Sequence, residues 1–144
     1  LGNLRGTVFD RAILRAMRYF AEDERAMALG RAVEAGDVEA CKAIMLASGA
    51  SSMNRLQNIY PALQADERSV ALALALSEEI LAGRGAWRIQ GGGFAGTIQA
   101  LVPHELCAAY EEGMRAAFGP GCCSRLHIRP VGGYLLKEEE AHGE

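Results

Sequence analysis

No stretch of this 144-residue chain comes near the ~20 consecutive apolar residues of a membrane span. The opening LGNLRGTVFDRA likewise lacks the apolar core of a secretory signal, so a cytoplasmic location is expected. Aromatic residues make up only 6% of the chain and the formal charge is -3, which excludes a basic field for nucleic acid. C-x-x-C spacing is missing too. Cys41, Cys107, Cys122 and Cys123 are scattered apart from one adjacent pair, so no two thiolates are placed to share zinc, and they read as free thiols. His104, His127 and His142 offer no pair at helical ligand spacing, so no metal site is expected. The first residue is Leu1 rather than methionine, which fits either a trimmed piece of something larger or removal of the methionine. What is present is apolar content, at 50%, enough for one ordinary domain to bury a core without disulfides or metal.

The apolar pattern is helical at first. Phe9, Ile13, Met17 and Phe20, continued by Met27, Ala28, Leu29, Ala32 and Val33, predict an apolar face on one long helix or on two nearly collinear ones. Gly36 suits a left-handed cap and Asp37 the N-cap of a second helix, which would turn Val38, Cys41, Ile44 and Met45 inward. The serines of ASGASSM predict a helix break, with a new N-cap at Ser51 or Ser52. A short helix would follow through Leu56 and Ile59 and end at Pro61. SVALALALSEEILAG alternates as a strand would, but its length and its alanines and leucines make it a helix, buried on more than one side and ended by Gly83.

The character then changes. GAWRIQ and TIQALVP predict short strands, and PHELCAAYEEGMRAAFG an amphipathic helix with Leu106, Tyr110, Met114 and Phe118 inward. SRLHIRPV, holding His127, predicts a further strand, and KEEEAHGE is a solvated tail. Helices, two strands, a helix and a strand, in that order, argue for an α+β domain: an antiparallel sheet with helices packed on one face.

Between the two central strands lies Gly91-x-Gly93-x-x-Gly96, the spacing of the dinucleotide-binding fingerprint. That fingerprint works by aiming a helix N-terminus at a pyrophosphate, and here a strand-like run to Pro103 follows instead. The dinucleotide reading fails, and the residues by themselves describe a glycine-rich hairpin. Three consecutive glycines imply at least one positive φ, and Gly92→Val is expected to strain the turn.

RIQGGGFAGTIQALVP also resembles the third signature motif of the galactokinase branch of the GHMP kinases, commonly R-M-T-G-G-G-F-G-G followed by a strand. RAMRYFAEDERAMALGRAVEAGDVEACKAIM is similar to the helical stretch upstream of that motif. SGASSMNRLQNIYP and ALALSEEIL resemble a subgroup with a SGxSSxxxLQNIY pattern. The resemblance runs from about Arg11 to Leu136. It implies a GHMP kinase C-terminal domain, related to the ferredoxin-like folds, over residues 1–136, with a charged tail at 137–144. In such kinases the motif is implied to lie against the phosphate-binding loop of the N-terminal domain. That role carries over to Gly91, Gly92, Gly93, Phe94 and Gly96, and to Ala95, where the common form has glycine; Gln90 stands where it has threonine.

The resemblance implies transfer of the ATP γ-phosphoryl group to the anomeric hydroxyl of galactose, with ATP and Mg2+ as the complete enzyme's cofactors. The family's G-R-x-N-x-I-G-E-H-x-D-Y stretch, catalytic aspartate and P-x-G-x-G-L-S-S-S loop belong to its N-terminal half, and this sequence contains none of them. The expectation is therefore a segment with no catalytic residue, inactive alone and binding no cofactor. Its partners would be the N-terminal kinase domain and the sugar, with self-association through the exposed interdomain face. The alternative is a non-catalytic module that uses the same fold to bind a small molecule or a partner protein.

Overall fold

The computed structural model describes residues 3–64, 66–93 and 96–128. They form an α+β arrangement of four α-helices and one two-stranded antiparallel sheet. The first helix, α1 (Asp10–Glu34), is a single unbroken rod. Gly36 takes φ +67° to end the run, and the Asp37 carboxylate accepts the Ala40 N–H at 2.9 Å, capping α2 (Val38–Ser51) as the sequence predicts.

The face that α1 buries matches the predicted one only in part. Phe9, Phe20, Met27 and Val33 are exposed, Ile13, Met17, Ala28 and Leu29 are half-buried, and only Ala32 is buried. At 100° per residue, Phe9, Phe20 and Met27 project from one side of the helix and Arg18, Glu22 and Arg25 from the other. The charged side packs against α2, because the end of α2 and the residue after it present Ser48, Ser51 and Ser52 at spacings of three and four. Val38, also expected inward, is exposed at the start of α2.

No break occurs at the serines. Ser51 and Ser52 keep helical backbone angles, Ser51 makes no side-chain cap, and the chain continues into a π turn, Ser52–Leu56, closed by the Gln57 N–H on the Ser52 carbonyl at 2.7 Å. The short helix expected through Ile59 therefore stops at Leu56, where Gln57 turns left-handed at φ +57°. Asn58 and Ile59 follow as buried residues outside any helix.

Helix α3 (Ser69–Leu81) resolves the alternating leucines. Val70, Leu74, Ser77 and Leu81 form one buried stripe, while Leu72 is exposed, as a helix and not a strand requires. Its stripe meets the sheet and α4 (Cys107–Phe118), which follows a 3-10 turn at His104–Leu106. The sheet pairs β1 (Ala86–Gln90) with β2 (Thr97–Leu101), Trp87 opposite Ala100 and Ile89 opposite Ile98. Those four side chains share one face and pack against α3 and α4, while Gln90, Thr97 and Gln99 on the reverse face are exposed. Helix α2 lies against β1 so closely that a Cβ on Gly49 would sit 3.1 Å from the Trp87 carbonyl oxygen.

The strand expected from Ser124 does not form over its described part. Residues 122–128 carry no regular structure, and Leu126, His127 and Ile128 are exposed, with no neighbouring strand to pair with among the described residues. The rest of that expected strand and the tail at 137–144 lie outside the described residues. No helix among the described residues is long and apolar enough to cross a membrane.

Candidate functional site

The hairpin from Gln90 to Thr97 places the glycine motif at one end of the sheet. Gly91 has φ +69° and Gly93 φ +87°, values that favour glycine, while Gly92 stays outside the left-handed region. The strain expected at Gly92 therefore belongs to its neighbours, since a Cβ added at Gly92 would meet nothing within 4 Å. Gly93 differs. A Cβ there would lie 2.2 Å from the Asn58 carbonyl oxygen, 2.6 Å from its side-chain nitrogen and 2.9 Å from Ile89 Cδ1. Gly96 is more lightly held, its nearest approach being 3.3 Å to the Gly93 carbonyl oxygen. Phe94 and Ala95 lie outside the described residues.

One side of the loop is anchored and the other open. Asn58 Nδ2 donates to the Gly92 carbonyl at 3.0 Å, from a side chain only 2% exposed. Its Oδ1 is buried without a donor, a costly state that an incoming N–H or O–H would relieve. Gly91 and Gly92, in contrast, are exposed and carry only main chain, so another backbone or a phosphate can approach them without side-chain interference. Asn58 falls within the SGASSMNRLQNIYP segment of the resemblance, which implies no role for it. Its signal is a lone buried amide following a left-handed residue, which no periodicity reveals.

A second concavity lies between α2 and α3. It is a groove of about 290 Å³ over Trp87, with walls that include Leu46, Gly49, Ala50, Ala71 and Ala75 and with Glu78 at its edge. Its lining is mostly apolar and contains no nucleophile.

The thiols are free. Cys122 and Cys123 sulfurs stand 3.8 Å apart and are not bonded, and burial pushes the Cys123 thiol up to about 11, which keeps it protonated at neutral pH and poorly nucleophilic. Among the described residues, no three of His, Cys, Asp and Glu are grouped to hold a metal ion. Comparison with protein-family models, with curated proteins and with solved structures gives no match in any of the three.

Proposed function

We propose that this chain is the C-terminal domain of a galactokinase-like enzyme, residues 1–136 forming the domain and 137–144 its tail. The complete protein would transfer the ATP γ-phosphoryl group to the anomeric hydroxyl of galactose. The observation that carries the reading is the loop. Its glycines follow the order of the motif, Gly93 leaves no room for a Cβ against Asn58, and Gly91 and Gly92 present bare main chain on the open side. A second backbone bearing phosphate could close against such a surface, and small residues near a transferring phosphoryl group serve that purpose.

Among the described residues no three of His, Cys, Asp and Glu are grouped to hold a metal ion. On this reading the Mg2+ ligands, the catalytic aspartate and the sugar contacts all belong to the N-terminal half. This chain contributes a wall. The exposed Phe9, Phe20 and Met27 on α1 support an assignment to a larger assembly, because apolar side chains aligned on one helix face are ordinarily covered. A second reading, a small-molecule-binding module, draws on the groove between α2 and α3.

Two assays test the kinase reading. In a complete enzyme carrying this domain, Gly93→Val is expected to lower turnover by at least tenfold, and unchanged turnover in a folded variant would remove the loop from the reaction. The isolated chain is expected to release no ADP from ATP with galactose. Release at enzyme-like rates would overturn the division of labour between halves.

A further inference from the structure

Two of the thiols form a feature that the glycine loop does not use. Cys122 and Cys123 lie just past the turn that ends α4, where Gly119 and Gly121 take positive φ, +85° and +81°. Their sulfurs are in S–H···S contact at 3.8 Å. Cys122 is exposed, so the pair is open to solvent from its side. Cys123 is half-buried and packs against the cluster of Leu81, Tyr110 and Met114, which fixes its half of the pair. Two residues on, Arg125 Nη2 donates to the Glu111 carboxylate at 3.2 Å and ties the segment back to α4.

The separation decides what the pair can hold. A disulfide is about 2.05 Å long and usually joins residues with Cα atoms about 4.4 Å or more apart, whereas neighbours across a trans peptide are held at about 3.8 Å. A direct bond here would be strained. A soft atom bonded to both sulfurs at about 2.3 Å, with a near-tetrahedral angle between the bonds, spans about 3.8 Å without moving either. That is the separation observed.

The choice of atom follows from the surrounding donors. Among the described residues no three of His, Cys, Asp and Glu are grouped, so a cation that needs three or four protein ligands is not served. Burial, reinforced by Cys122, holds the Cys123 thiol at about 11, and a divalent cation would have to expel that proton. A trivalent arsenic oxide bearing one organic group meets neither obstacle. Two As–S bonds form, the arsenic–oxygen bond breaks, and the oxygen leaves with both thiol protons as one water while arsenic stays trivalent.

We propose that Cys122 and Cys123 form a chelating site for a monosubstituted trivalent arsenical, with the organic group on the solvent side. The site does not depend on the kinase reading. Any two adjacent cysteines lie near each other, and what the fold adds is the fixed separation.

The test treats the full chain with phenylarsine oxide in an excess of a monothiol, which strips arsenic from single cysteines. Intact mass is expected to show one adduct, the reagent less one water, and the count of free thiols to fall from the chain's four to the two outside the pair. Cys122→Ser is expected to lose the adduct and, because Cys122 is exposed, to keep the wild-type melting temperature. Cys41→Ser combined with Cys107→Ser is expected to keep the adduct. The chain in denaturant retains both cysteines without their spacing, and is expected to bind roughly tenfold more weakly than the folded chain. Inorganic arsenite, which favours three sulfurs, is also expected to bind more weakly than phenylarsine oxide. An adduct that survives Cys122→Ser, equal affinity in folded and denatured chain, or tighter binding of arsenite would overturn the proposal. So would a pair that stays oxidised to a disulfide in the same excess of monothiol.

Discussion

Neighbouring glycines in one loop make opposite demands. Gly93 combines φ +87° with backbone atoms inside the space of a Cβ, so Gly93→Ala is expected to cost about 2 kcal/mol or more in folding free energy. Gly92 has neither constraint, and Gly92→Ala is expected to be neutral or stabilising by roughly 0.5 kcal/mol, because alanine narrows the unfolded ensemble. Chemical denaturation of the two variants measures the contrast. An equal loss in both would mean that the loop is tight throughout. The sequence spacing locates the glycines but cannot rank them, because the ranking depends on Asn58, 35 positions upstream of Gly93. Buried polar anchors of this kind follow no period, which is why Asn58 receives no role from the sequence alone.

Helices α3 and α4 are legible from their spacing, since Leu81 meets Tyr110 and Met114 while Val70 and Leu74 pack with Ile59 and Ile89, in two apolar clusters that share Trp87 and Ile98 of the sheet. Helix α1 is legible as a helix but misleading as to its face. Periodicity reports which residues share a side, and an apolar side faces inward only when the neighbouring element is apolar too. Here the neighbour carries serines, so α1 turns its Arg18–Glu22–Arg25 side to it. Within the α3–α4 contact sits one polar pair. Ser77 donates to the Ala73 carbonyl at 2.7 Å, which leaves its lone pairs to accept from the Tyr110 hydroxyl at 2.8 Å. Tyr110→Phe is expected to cost about 1 kcal/mol at neutral pH. Burial raises the Tyr110 phenol above its ordinary value, so its contribution is present below about pH 10 and is lost as pH rises. The stability gap between wild type and Tyr110→Phe is therefore expected to narrow in urea titrations above about pH 10. A gap that widens there would refute the assignment.

At the scale of the whole molecule, the outward face of α1 is the largest departure from a self-contained domain. Phe9 is 87% exposed, Phe20 68% and Met27 62%, all on the side away from α2. On the proposed reading this face is covered in the complete enzyme, and the isolated chain is expected to associate with itself as concentration rises. Light scattering checks this, with Phe20→Ser combined with Met27→Ser expected to restore a monomer. A wild-type chain that stays monomeric at high concentration would count against a covered face. The α+β class is legible because the strands flanking the glycines are short, β-rich and adjacent. The third strand fails over residues 124–128 because alternation in Leu126 and Ile128 supplies side chains for a sheet face without supplying a partner edge.

The π turn at Ser52–Leu56 bears on how such a chain can change over generations. Its closing bond spans five residues, one more than an α-helical bond, so losing any one residue between Met53 and Leu56 would let the run close as ordinary helix and swing Asn58 by about 100° off the Gly92 carbonyl. Met53 and Asn54 are exposed, and their identities are free to drift. Their number is not. In this stretch substitutions at Met53 and Asn54 are expected to be tolerated where a deletion would unseat the loop, and descendants of this chain are expected to vary in letters at those two positions while keeping the count.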